Sequence, residues 1–447
     1  VTFATTVLPP TSDDFVTQWD LSISGSADDA GFAQLNFGVA TSGSVNYTWE
    51  EVSPGTATGS GTFTGTTATI IGLPSGATID LVISPVNFQR IAIRNGTDKD
   101  RLLDVKQWGT TSWTSMTTAF WNCNNLEITA TDIPNLANVL DMTLMFGACS
   151  SLTGPNNIGL WDVTNVVNMS ALFQVARLFN QDISAWNVEN VTNMFGMFNV
   201  TDEFNQDISS WDVDNVTDMS AMFQAAKAFN QDISSWNVSR VTHMKRMFSD
   251  ATLFNQNIGL WDVSKVTDMT FMFASNSSAF NQNLGPWGTK FNTAVNLTNF
   301  LDNAGMNASN YDATLAGLND GIVTGRSMGA INLKYNCSAV ADRANLIKSV
   351  IDGGKGWTIT GDIALTCTSL SLNSDKNPAE VGDNITLTAT LSSTTATGTI
   401  IFKDGSTVLG TATVIDGIAT LSTTALTTVG TSLITAEYSG GWHILFK

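Results

Sequence analysis

Histidine is nearly missing from this 447-residue chain, which contains two, and basic residues are scarce beside acidic ones, 20 against 39. With two His, a multi-His metal centre or a set of His general bases is nearly excluded. The net charge of −19 argues against a nucleic-acid binder, which needs a basic stripe to neutralise phosphates. It argues equally against a protein held on an anionic membrane surface. No apolar run approaches the ~18 residues of a membrane span, and Val1-Thr-Phe-Ala-Thr-Thr-Val lacks the basic and apolar regions of a signal peptide. Catalytic motifs are missing too: there is no HExxH, GxSxG, paired CxxC or phosphate-binding Gly-Lys-Ser/Thr loop. A carboxylate pair for glycoside hydrolysis would be hidden among the 39 acids, but nothing singles one out. We therefore expect no enzyme.

What is present is Thr, Ser, Asn and Gly, which supply the polarity while only 13% of residues are charged. That mix is common in secreted β-rich proteins. A processed secreted protein is the expectation, a cytosolic protein of low cysteine content the alternative. The length suits about three domains.

An internal repeat dominates the middle. Trp161, Trp186, Trp211, Trp236 and Trp261 are spaced 25 residues apart, and Phe173, Phe198, Phe223, Phe248 and Phe273 keep the same step. So do Met169, Met194, Met219, Met244 and Met269. Upstream, Met116/Phe120/Cys123 and Met142/Phe146/Cys149 continue the phase with slight drift, and downstream Trp287, Leu297 and Phe300 do so. About eight coils of 25–27 residues span 105–305. Such units cannot bury their apolar columns alone and must stack. Phe179–Val188 suits a strand and a turn, and Met194–Phe198, with its 3- and 4-residue spacing, a short helical turn. One strand and one helical turn per unit is the leucine-rich-repeat plan, a solenoid. The Trp and Phe columns read as repeat core rather than a carbohydrate-binding stripe. The Asn180, Asn205, Asn230, Asn255, Asn281 column suits an internal amide ladder.

The Asp182, Asp207, Asp232 column leaves Ca²⁺ binding open, but it turns to Asn257 and Asn283, and Ca²⁺ wants six or more converging oxygens. We expect a solvated acidic face and no cofactor.

The flanks differ. In residues 1–104, alternating runs at Phe15–Ile23, Ala33–Val39, Val45–Val52, Ala68–Ile71 and Thr78–Ile83 read as a β-sandwich. It would cap the solenoid through the junction Leu102–Trp113, with Trp108 and Trp113. Residues 306–367 read as an α/β cap with helices Ser309–Leu318 and Ala339–Ile351, the second with Ser338 as N-cap. Cys337 and Cys367 bracket this cap, and a disulfide between them would add roughly 3–4 kcal/mol in the chain-entropy model. Cys123 and Cys149 share one repeat column, as a strained bridge or as buried thiols; thiols are the expectation. Residues 368–447 read as an Ig-like sandwich of short Thr/Val/Leu strands.

Residues 105–305 resemble the BspA-type 25-residue-repeat surface proteins of bacteria. The resemblance rests on Trp211-Asp-Val-Asp-Asn-Val-Thr-Asp-Met-Ser-Ala-Met-Phe-Gln-Ala-Ala-Lys-Ala-Phe-Asn-Gln-Asp-Ile-Ser-Ser. The opening Phe15-Val-Thr-Gln-Trp and the Gly356-Trp-Thr-Ile-Thr-Gly-Asp cap between Cys337 and Cys367 look similar to that family as well. Residues 368–440 resemble bacterial Ig-like stalk domains through Phe402-Lys-Asp-Gly-Ser-Thr-Val-Leu-Gly-Thr-Ala-Thr-Val. After Tyr438-Ser-Gly-Gly, however, Trp442-His-Ile-Leu-Phe-Lys stands where the module's last strand belongs: either it supplies that strand or the module is incomplete. The resemblances imply an exported, cell-surface, adhesin-like protein that binds a glycan or a matrix or surface protein, without catalysis. A structural subunit of a surface layer, filament or motility apparatus is the alternative.

Candidate partner contacts are basic residues that break the repeat: Lys227, Arg240, Lys245, Arg246 and Lys265, with Arg177 apart from them. On an acidic chain they could meet an anionic glycan or acidic protein surface, or could only relieve like-charge repulsion along the ladders. His243 stands where other coils carry Asn193, Asp218 or Asp268 and reads as a surface residue.

Overall fold

The computed structural model describes residues 10–25, 32–94, 98–275, 278–365, 369–427, 429–439 and 442–444. The protein is mainly β, with several small sheets. It divides into two compact units, 1–364 and 365–447.

The first unit opens with strands β1 (Phe15–Asp20), β2 (Phe32–Thr41), β3 (Val45–Ser53), β4 (Thr58–Phe63), β5 (Thr67–Pro74), β6 (Thr78–Ile83), β7 (Phe88–Ala92), β8 (Leu102–Gln107) and β9 (Glu127–Ile128). A six-stranded sheet, β4-β3-β6-β1-β8-β9, and a three-stranded sheet, β5-β2-β7, share one apolar core. Trp19 of β1 stacks on Phe37 of β2 at 5.6 Å between centroids. Strand β4 was not expected, because Thr-Gly-Ser-Gly-Thr-Phe shows little apolar alternation. Its glycines have a packing reason: a Cβ on Gly59 would fall 2.5 Å from the Trp49 ring and one on Gly61 2.4 Å from the Tyr47 hydroxyl.

Strand β8 joins this sheet to the repeats. It pairs antiparallel with β1 and parallel with β9, inside the first coil. Trp108 and Trp113 are fully buried, and Trp108 meets Trp161 edge-on at 5.4 Å. One continuous core then runs from Phe15 to Ile359, so the three regions expected at 1–104, 105–305 and 306–367 share a single interior.

Within the repeats the expected strand over Phe179–Val188 and the helical turn over Met194–Phe198 do not form. Instead, single parallel bridges link Asp141, Asn168, Asn193, Asp218, His243, Asp268 and Asn296 from coil to coil. After each bridge come successive turns in which amides alternate between two acceptors. Met219, Ala221, Phe223 and Ala225 donate to His243, Lys245, Met247 and Ser249 of the next coil, whereas Met222, Gln224 and Ala226 donate three residues back. The turns demand left-handed backbone at Gly196 and Val200, Ala221 and Ala225, and Arg246 and Asp250, which no α-helix tolerates. The Met and Phe spacing thus reports overlapping turns that begin every two residues, with a left-handed residue every four.

The columns bury rings in register. Phe173, Phe198, Phe223, Phe248 and Phe273 stack coil on coil at 5.7–5.9 Å, nearly parallel. Each packs within its own coil against a second column, as Phe223 does on Phe229 at 3.9 Å. Each buried ring contributes about 1.5–3 kcal/mol, and the aromatic contacts about 0.5–1.5 more. The tryptophans Trp161, Trp186, Trp211, Trp236 and Trp261 are also buried. Cys123 and Cys149 lie in this interior as free thiols. The Cys149 thiol donates to the Phe120 carbonyl at 3.0 Å, and burial pushes its pKa up to about 12.

The unit closes with α1 (Ala308–Asp320), β10 (Ser327–Gly329), β11 (Lys334–Tyr335), α2 (Val340–Ile347), β12 (Thr358–Thr360) and β13 (Ile363–Ala364). Asn307 caps α1 by accepting from the Asn310 amide. Ser338 does not cap α2, because its hydroxyl donates to Asp312 Oδ2 at 2.7 Å; Ala339 occupies the cap position. Helix α2 ends at Ile347, where Lys348 turns extended, rather than at Ile351. Cys337 is disulfide-bonded; its expected partner, Cys367, lies outside the described residues.

The second unit holds β14 (Leu370–Ser374), β15 (Ile385–Leu391), β16 (Thr399–Asp404), β17 (Thr407–Thr413), β18 (Ile418–Thr423), β19 (Ile434–Tyr438) and β20 (Trp442–Ile444). Sheets β14-β15-β18 and β17-β16-β19-β20 enclose a core that includes Leu387, Ala389, Phe402 and Tyr438. The Trp442–Ile444 stretch pairs antiparallel with β19, so it supplies a strand.

Candidate functional site

Most exposed columns of the repeat have a backbone task. The Asn column expected inside lies at the surface, where Asn205, Asn230 and Asn255 amides donate to Oδ1 of Asn180, Asn205 and Asn230 at 2.9–3.0 Å. Gln206, Gln231 and Gln256 add bonds to the same asparagines. Each Trp indole from Trp186 to Trp287 donates to an Ile carbonyl one coil earlier, as Trp211 does to Ile183 at 3.2 Å. Trp161, first in its column, has no acceptor.

The acidic column is explained the same way. Oδ1 of Asp182, Asp207, Asp232, Asn257 and Asn283 accepts the amide two residues on, at 2.7–3.1 Å. Either side chain offers that oxygen, which is why Asn257 and Asn283 can stand where earlier coils carry Asp. The hydroxyls of Ser184, Ser209 and Ser234, then their amides, hold the three carboxyls below the usual range. Among the described residues no cluster of three or more His, Cys, Asp or Glu converges to hold a metal.

A second such column runs through Asp141, Asn168, Asn193, Asp218, Asp268 and Asn296, each accepting from the amide two residues on at 2.8–3.1 Å. A third column works through carboxamide N–H groups in four of its coils. Asn165, Asn190, Asn215 and Asn292 donate Nδ2 to a carbonyl one coil earlier at 2.8–3.0 Å.

The basic residues do not all come together. Lys227 and Arg177 flank Asp202 from the coils on either side, at 3.0 and 2.6 Å, and the carboxylate neutralises part of their charge. Arg240 and Lys265 lie one above the other in the Asn165–Asn292 column. Lys245 and Arg246 follow the bridge at His243, and the Arg246 guanidinium lies 4.9 Å from the Phe271 centroid. Arg240, His243, Lys245, Arg246 and Lys265 are all exposed. Sequence reasoning missed Phe195, 44% exposed where Ser170 and Ser220 stand in neighbouring coils, and Phe271, at the position held by Ala171, Gly196, Ala221 and Arg246 in the preceding coils. Both depart from the repeat as plainly as the cations do. A cleft of about 560 Å³ lined by Glu127, Thr129, Thr153 and Asn157 contains none of these residues.

Two family models match the chain. The model described as "Mycoplasma protein of unknown function, DUF285" matches residues 94–209, 140–239 and 201–313, overlapping along the stacked coils. The model of the bacterial Ig-like domain (group 3) matches residues 372–443, within the second unit. No curated protein and no solved structure matches the chain. The stack is thus similar to a bacterial repeat family and the second unit to a bacterial Ig-like domain. Among the described residues no helix is long and apolar enough to cross a membrane.

Proposed function

We propose that this is a bacterial cell-surface or secreted binding protein of adhesin type, without catalytic activity. In this reading residues 105–305 form a leucine-rich-repeat-like solenoid of the BspA type that presents a face to a glycan or protein partner, and the Ig-like unit is a stalk element. The observation that carries it is the division of labour among the columns. Buried positions and backbone-bonding positions repeat from coil to coil, while the position after the bridge varies, with Ser170, Phe195, Ser220, Lys245 and Thr270 in successive coils, and the larger departures Phe195 and Lys245 are exposed. A rigid scaffold with variable outward positions suits recognition. The two family matches favour a surface location. The non-catalytic reading rests on the sequence, which offers no acid–base constellation.

The test is antibody labelling and protease shaving of intact cells that express the protein, with the purified chain applied to glycan and matrix-protein arrays. Surface labelling with selective array binding supports the reading. A protein found only inside the cell overturns it. Regular end-to-end contacts in micrographs of native cells, without array binding, point to the alternative, a structural subunit of a surface assembly.

A further inference from the structure

We propose that Arg240, His243, Lys245, Arg246 and Lys265 form a binding site for an anionic polysaccharide, engaged through its carboxylate or sulfate oxygens. The inference rests on the binding-protein reading above and names the partner's chemistry. Its main support is that three repeat positions give up a structural hydrogen bond, and all three now carry a basic or imidazole side chain.

The first is His243. From Asp141 to Asn296 every other coil places an Asp or Asn at this position and uses its oxygen to accept the amide two residues on. The imidazole of His243 instead pairs through Nδ1 with Thr242 Oγ1 at 2.9 Å, and the Lys245 amide receives no such acceptor. In the coils on either side, carboxylate oxygens of Asp218 and Asp268 sit 2.8 and 2.9 Å from the corresponding amides. A ligand oxyanion fits the place those oxygens hold next door. Around that amide this coil supplies His243, Lys245 and Arg246, three cationic or imidazole side chains between the Asp218 and Asp268 of the adjoining coils.

The other two are Arg240 and Lys265. Where Asn165, Asn190, Asn215 and Asn292 tie their coil to the preceding one, Arg240 and Lys265 leave the carbonyls of Asp214 and Ser239 without that carboxamide. Arg240 bonds sideways to Asn215 Oδ1 instead. Positions free of a backbone task vary at no cost, but these three vary at the expense of a bond. All fall within residues 240–265, around Lys245 and Arg246.

The charge is also available. Lys227 and Arg177 are occupied by Asp202, whereas among the described residues no ion pair engages Arg240, Lys245, Arg246 or Lys265, on a chain of net charge −19. A polysaccharide fits this surface better than a folded protein. Protein interfaces place charge at the rim and anchor on apolar pockets at the centre. Here the cations are central: the Arg246 guanidinium lies over the Phe271 ring, and Asn215 and Thr242 supply an amide and a hydroxyl beside Arg240 and His243. Arg240 and Lys265, one coil apart, let an extended polyanion follow the stack.

The decisive variant returns the three positions to their repeat residues: Arg240→Asn, His243→Asp and Lys265→Asn together. It restores the missing bonds, so its melting temperature should equal or exceed the wild type's, and loss of binding cannot be ascribed to unfolding. Full-length chains are compared by calorimetry on heparin, polygalacturonate, poly-L-glutamate and uncharged dextran at low and raised NaCl. Wild-type binding to heparin or polygalacturonate that weakens with salt, and falls roughly tenfold or more in the triple variant, supports the site. Retention of heparin alone assigns sulfate as the oxyanion, and retention of polygalacturonate assigns carboxylate. Undiminished binding by the triple variant, no binding of either glycan by the wild type, or tighter binding of poly-L-glutamate than of both glycans overturns it. Loss of this site leaves the surface-labelling result untouched, so the two readings fail separately.

Discussion

Asp362 accepts both Nε and Nη2 of Arg343, at 2.6 and 2.7 Å, and also the Tyr311 hydroxyl at 3.1 Å. Its carboxylate is 1% exposed, so these donors replace water. Removing Arg343 leaves a buried charge unpaired, which costs about 3–5 kcal/mol for fully buried pairs. Because Arg343 itself is 19% exposed, we expect Arg343→Ala to cost about 3 kcal/mol, at the lower end of that range. Arg343→Lys should recover only part of this, because an ammonium cannot reproduce the bidentate fork. Urea unfolding of the three proteins checks the order. Equal midpoints for Ala and wild type would mean that the ion pair does not hold the cap.

The Trp column allows a comparison in which ring size is held constant. Trp211 has an acceptor for its indole N–H and Trp161 has none. Both lose the same ring area in Trp→Phe, but Trp211→Phe also removes the indole bond to the Ile183 carbonyl, which keeps only the Trp186 amide. We predict that Trp211→Phe costs about 0.5–1.5 kcal/mol more than Trp161→Phe, and that Trp211→Ala costs about 3–5 kcal/mol. Thermal melts of the three variants decide it, and an equal loss in the two Phe variants would contradict the ladder's contribution.

The packing of the repeat was legible in the sequence because a buried ring copied every 25 residues leaves a period that nothing else produces. The local backbone was not. Met194, Met197 and Phe198 have helical spacing, yet the left-handed residues at Gly196 and Val200 convert it into turns, and Val is a residue no pattern rule assigns to that conformation. Strand β4 was hidden because Gly59 and Gly61 make room for rings contributed by β3. Arg240 and Lys265 were visible as breaks in the repeat. What each break gives up emerges only once the bond made by the neighbouring asparagines is known.

The acidic column predicts an acid response. Asp182, Asp207 and Asp232 are held below the usual carboxyl range by serine hydroxyls and amides. A carboxyl whose folded pKa is depressed binds fewer protons folded than unfolded. Its contribution is therefore present above the unfolded value of about 3.9 and lost as pH falls through the folded one. The groups are solvent-exposed, so the effect is small at each and visible only when they are combined. The triple variant Asp182→Asn, Asp207→Asn, Asp232→Asn keeps every Asx oxygen, as Asn257 and Asn283 do. It should match the wild type near neutral pH and lose less stability between pH about 5 and 2. Unfolding free energies at several acidic pH values check the slope; identical slopes would show that the column does not titrate with folding.

Tyr311 governs the opposite end of the scale. Burial first, and then the charge of Asp362, push its phenol well above the ordinary value, and burial raises Tyr47 as well. The unfolded chain releases a tyrosine proton near pH 10, while the folded chain retains it at Tyr311. Above that pH the folded state holds more protons than the unfolded state, so stability declines with pH by up to about 1.36 kcal/mol per unit for this group. The decline begins at the unfolded value and continues until the folded value is reached. Tyr311→Phe removes the titrating group and the bond to Asp362 together. It should therefore be less stable than the wild type at pH 8, yet lose less on going from pH 9 to 11. Parallel losses in the two proteins would assign the alkaline decline to Tyr47 or to another part of the chain.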